Sequence, residues 1–143
     1  MMKTTLTTAT LTTAAGALAL ALAAPVLGAT LPQPKTEHGV TYLSGGIGKD
    51  EAAAMKAEAK NYPLSLVFSR GKDNEYAVDV SVAIKNRAGK PVLDAASAGP
   101  ILLVRVPAGR YRIVATSHGK ALQRAVLVKA KGDRQIVFHW PAA

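Results

Sequence analysis

The sequence predicts an all-β fold: a sandwich of about seven strands in Greek-key order, with one short N-terminal helix. Three observations carry this. Turn signals rich in Gly, Asn, Asp and Pro recur about every 8–12 residues after residue 61. Tyr76 to Lys85 alternates, with Tyr76, Val78, Val80, Val82 and Ile84 on one face and Ala77, Asp79, Ser81, Ala83 and Lys85 on the other. The stretch Gly99–Ala115, GPILLVRVPAGRYRIVA, reads as strand, hinge, strand.

The hinge is Pro107-Ala108-Gly109. Pro fixes φ and donates no hydrogen bond, and Gly permits φ > 0. So short a link predicts an antiparallel pair. Gly109-Arg110-Tyr111 at the end of a β-arch predicts a tyrosine corner, with the Tyr111 hydroxyl bonded to backbone upstream. Pro107, Gly109 and Tyr111 are thus structural candidates.

From the start of the chain, Lys3 precedes an uncharged Ala/Leu/Thr-rich run, Leu6 to Leu27, that ends in small residues. Residues 1–29 read as a cleaved secretory signal peptide, leaving no membrane span and a periplasmic or secreted protein. Residues 30–39, with Pro32 and Pro34, read as a disordered or extended lead-in, and 40–143 as one domain. Val40–Leu43 is a short strand. Ser44-Gly-Gly-Ile-Gly48 is a loop without the Gly-Lys-Ser/Thr of a phosphate cradle. Asp50 caps a helix over Ala52–Lys60, which Asn61 and Pro63 end.

Leu64–Phe68 is a strand, and Arg70–Glu75 a polar turn. Asn86-Arg-Ala-Gly89 turns the chain after the alternating strand, and Pro91 marks the next run as an edge. Ser117-His-Gly-Lys120 turns into a strand with Val126 and Val128 inward. The last strand, Gln135–Trp140, sets Ile136, Phe138 and Trp140 on one face.

A strand followed by Pro107-Ala-Gly-Arg-Tyr111 and a second strand resembles the carboxypeptidase regulatory-like domain, a transthyretin-like β-sandwich related in fold to starch-binding modules. Val82-Ala-Ile-Lys-Asn-Arg-Ala-Gly-Lys-Pro-Val92 matches that family's other common feature, and the resemblance covers residues 76–140. It implies a non-catalytic binding or structural module. Transthyretin-like folds also include the hydroxyisourate hydrolases, but their closing Tyr-Arg-Gly-Ser is missing, since this chain ends His139-Trp-Pro-Ala-Ala143.

The residues themselves point away from catalysis. His38, His118 and His139 show no metal-ligand spacing, no Ser sits in G-x-S-x-G, and there is no Cys. No catalytic residue, metal or cofactor is expected. Charge is the remaining signal. The chain has 18 Lys and Arg against 9 Asp and Glu; loss of Lys3 with the signal leaves a formal +8. In an exported chain this favours an envelope protein or an anionic polysaccharide over nucleic acid. Arg105, Arg110, Arg112 and Arg124 are the partner-binding candidates of a monomer; Arg110 and Arg112 share a strand face, and if the strands after Gly109 are neighbours their outward charges form a stripe. Carbohydrate stacking is the alternative, through Tyr42, Tyr62 and Trp140. A small hydrolase is the third reading.

Overall fold

In the structure, a computed structural model that describes residues 30–141, the chain is all-β with one short helix. The strands are β1 (Lys35–Glu37), β2 (Val40–Gly45), β3 (Leu64–Arg70), β4 (Glu75–Tyr76), β5 (Val80–Asn86), β6 (Pro91–Ala98), β7 (Ile101–Arg105), β8 (Gly109–Ser117), β9 (Lys120–Val128) and β10 (Arg134–Trp140). Helix α1 (Lys49–Glu58) lies between β2 and β3 and runs into a 3₁₀ turn, Ala59–Asn61. Sheet one has the order β1-β2-β7-β3-β10, with β4 paired to β3; sheet two has the order β6-β5-β8-β9.

One apolar core joins the sheets. Leu64, Leu66, Phe68, Leu102, Val104, Phe138 and Trp140 of sheet one pack with Val80, Val82, Ile84, Ile113, Val126 and Val128 of sheet two. Phe68, Phe138 and Trp140 form an aromatic trio with ring centroids 5.7 to 6.4 Å apart. Parallel pairing of β10 with β3 sets Phe138 beside Phe68. The opposite face of sheet one carries α1, and Leu43, Ala52, Met55, Tyr62, Ile101 and Leu103 form a second cluster there. Sheet one is therefore covered on both faces at β7, which is why Ile101-Leu-Leu-Val104 is an unbroken apolar run.

The same fact overturns the expected hairpin. β7 pairs with β2 and β3, whereas β8 pairs with β5 and β9, so the two never pair with each other. A hairpin would put both strands on the same two faces. The Ile101–Val104 run needs cover on both, while Arg110–Ala115 alternates and needs it on one. The hinge accordingly carries the chain from one sheet to the other, with Val106 buried in the core. Gly109 has the expected positive φ, +157°, a backbone that residues with a side chain rarely adopt, although a Cβ there would meet the Tyr111 ring only at 3.8 Å. The Tyr111 hydroxyl donates to the Pro107 carbonyl at 2.7 Å, the expected corner bond.

Four further differences concern local backbone. Ten strands are described where about seven were expected, partly because residues 35–37 of the lead-in form β1 against β2. The alternating strand is split: β4 belongs to sheet one and β5 to sheet two. Asp79, at φ +55°, breaks the period, so Ala77 is buried while Tyr76 and Val78 are exposed. The Asp79 carboxylate accepts the Ser97 hydroxyl at 2.7 Å, tying this break to β6. Finally, Gly48 rather than Asp50 occupies the helix N-cap. Glu51 turns back and accepts the Gly46 N–H at 2.9 Å, tying the glycine loop to the helix.

Residues 1–29, read as a signal peptide, lie outside the described residues. Among the described residues no helix is long and apolar enough to cross a membrane.

A candidate anion-binding face

Antiparallel partners share a face of their sheet. β5 and β8 pair with Lys85 opposite Arg112 and Asn86 opposite Tyr111. Arg87, in the turn after β5, lines the same surface cavity as Arg110. Lys85, Arg110 and Arg112 point away from the core, because their neighbours Ile84, Tyr111 and Ile113 point into it. All four cations are exposed, and all four line one surface cavity of about 290 Å³. On the β9 side, Ala125 stands opposite Arg112 and Leu127 opposite Arg110. Leu127 is 50% exposed, leaving an apolar shelf beside the cations.

Among the described residues none of the four cations is ion-paired with a carboxylate; the ion pair found there is His38–Glu37, at 3.7 Å. Asp94 is the one acidic residue in the strands of sheet two; opposite Ala83, it shares the outward face but stands beside the residue two before Lys85, not beside the cations themselves.

The four candidate arginines do not share one face. Arg110 and Arg112 do. Arg124 stands opposite the buried Ile113, on the core side of edge strand β9, and reaches solvent from there. Arg105 belongs to sheet one: its guanidinium donates to the Asn61 carbonyl at 2.9 Å and lies 4.8 Å from the Tyr62 ring centroid, clamping the end of the helix. Lys85 and Arg87 were missed. Both were legible as outward or turn residues, but only the β5–β8 adjacency joins them to Arg110 and Arg112.

The stacking platform fares differently. Tyr62 and Trp140 are buried, and the Trp140 N–H donates to the Lys120 carbonyl at 2.9 Å. Tyr76, expected in the core, is exposed.

The histidines stay apart. His139 Nδ1 lies 2.9 Å from the Ser69 hydroxyl, and His118 Nε2 lies 2.7 Å from Arg70. Among the described residues no carboxylate hydrogen-bonds His139, and no three His, Asp or Glu side chains gather as a metal set. Two phenols are perturbed. Burial raises the Tyr111 pKa. Burial, then the charge of Glu37, raises that of Tyr42.

No family model matches the chain, and no curated protein matches it significantly.

Proposed function

We propose that this chain is an exported, non-catalytic β-sandwich module of the carboxypeptidase regulatory-like kind, which binds an anionic polymer in the bacterial cell envelope. The observation that carries the reading is the cluster of Lys85, Arg87, Arg110 and Arg112 around one cavity, none of them ion-paired with a carboxylate. Cations grouped without counter-charges repel one another, and a bound anion relieves that repulsion. The family part of the reading rests on Pro107–Tyr111 and on Val82–Val92, and includes Greek-key wiring. It is supported by the crossing of β7 to β8 between sheets and by the return of β10 to β3.

The test is titration of the exported protein with an acidic polysaccharide and with a neutral glycan, at low and at physiological salt. Binding to the acidic polymer weakens as salt rises, because exposed charges are screened over about 8 Å at physiological ionic strength. It is lost when Lys85, Arg87, Arg110 and Arg112 are all changed to Gln, with the melting curve nearly unchanged. Salt-indifferent binding of the neutral glycan, or capture of an acidic protein instead of the polymer, overturns the reading.

A further inference from the structure

We propose that the group recognised in the cavity between β5 and β8 is a multiply charged phosphate, a diphosphate or closely paired phosphomonoesters, rather than a carboxylate. The inference rests on the anion-binding reading above and names the chemistry of that same site. Cross-strand neighbours in an antiparallel pair stand about 5 Å apart, and alternate residues along a strand roughly 7 Å apart. Lys85 and Arg112 form a cross-strand pair, Arg110 lies two residues along β8 on the same face, and Arg87 lines the same cavity from the turn after β5. The result is a compact cluster of four positive charges rather than a long stripe.

A uronate carboxylate brings a single charge and two oxygens, enough for one guanidinium fork. A phosphomonoester carries about 1.5–2 negative charges at neutral pH and three acceptor oxygens. Two such groups joined or adjacent match the charge of the cluster and offer each cation an oxygen. The two guanidiniums on β8 supply planar forks, and Lys85 a point charge across from one of them. The cavity, about 290 Å³ and open to the surface, accommodates a small charged head group. The shelf of Ala125 and Leu127 would carry the less polar remainder of a larger ligand.

Calorimetric titration of the purified exported protein with pyrophosphate, inorganic phosphate and polygalacturonate tests this. A second arm uses a phosphorylated glycan and the same glycan after phosphatase treatment. Pyrophosphate binds more tightly than phosphate, and displaces whatever the face holds. Single changes Lys85→Gln, Arg110→Gln and Arg112→Gln each weaken pyrophosphate by about three- to tenfold, the range for losing one charge-assisted bond at an exposed site. Arg105→Gln and Arg124→Gln leave it unchanged, since neither residue belongs to the cluster. Binding of the glycan only before phosphatase treatment identifies a glycan-borne phosphate; binding of pyrophosphate with no glycan response identifies the free anion. If polygalacturonate binds at this face and pyrophosphate neither binds nor competes, the phosphate assignment is overturned and the anion reading stands. If no anion of either class binds, both fall. Thermal melts of each variant confirm that it folds, and ³¹P shifts on adding parent protein to pyrophosphate read the contact independently of the variants.

Discussion

Replacing Tyr111 with Phe isolates the bond that fixes the crossing between the sheets. The ring stays in the core and only the hydroxyl is lost, along with its 2.7 Å donation to the Pro107 carbonyl. Pro107 is exposed, so water reaches the freed carbonyl and the full penalty of a buried orphan does not apply. The cost should therefore be that of an ordinary hydrogen bond, about 1 kcal/mol, or about 4 °C in melting temperature for a domain of this size. The alkaline limb gives a second readout. Burial raises the Tyr111 pKa, so the folded state holds its phenolic proton where the unfolded chain, with a pKa near 10, releases it. That contribution is fully present below the unfolded value and is lost as pH rises through the higher folded one. Tyr111→Phe should flatten the alkaline loss of stability, leaving the part due to Tyr42, whose pKa is also raised. Urea melts between pH 7 and 11 measure both effects. An unchanged midpoint at pH 7 together with an unchanged alkaline slope would refute the account of the corner.

Two other perturbations follow from the packing. Met55 is fully buried against the outer face of sheet one, so Met55→Ala should cost about 2–3 kcal/mol; a loss below about 1 kcal/mol in a denaturant melt would mean that α1 adds little to the sheet it covers. Arg124→Val removes a charge from the core side of edge strand β9, a device that discourages edge-to-edge pairing. Sedimentation should then show self-association beyond that of the parent chain, with anion binding kept; loss of anion binding without self-association would return Arg124 to the binding face.

Much of sheet two was legible because its strands are covered on one face and keep a period of two. The alternation of Tyr111, Ile113 and Ala115 and the inward Val126 and Val128 follow from that period, and the structure buries all five. The position of Arg124 was also within reach. The turn at His118-Gly119 has both residues at positive φ, a two-residue hairpin that fixes Ser117 opposite Lys120 and hence Ile113 opposite Arg124. Counting back from that turn assigns Arg124 to the core side from the sequence alone. The split at Asp79 was not legible, because the apolar pattern runs through it and only the tertiary destination of β4 and β5 breaks it. Nor was the pairing of β10 with β3, since pairing between distant strands leaves no local trace.

The basic cluster follows from that hidden adjacency, and so does its energetic meaning. Repulsion among exposed cations weakens wherever the chain can spread them, so the unfolded protein escapes much of it, while the pairing of β5 with β8 fixes Lys85 opposite Arg112. The chain thus folds in spite of this face. Any ligand that binds the folded face and not the unfolded chain returns stability by mass action, about 2.7 kcal/mol at a concentration a hundred times its dissociation constant. Charge kept only for solubility would need no such concentration of one sign. Dispersed over both sheets it would serve equally well, and interspersed acids would lower the repulsion. Sheet two instead has a single acid in its strands, Asp94 on β6, and it forms no ion pair with the cluster. The arrangement places three of the four cations on two paired strands that hold them rigidly, and a rigid array discriminates among anions by spacing as well as by charge.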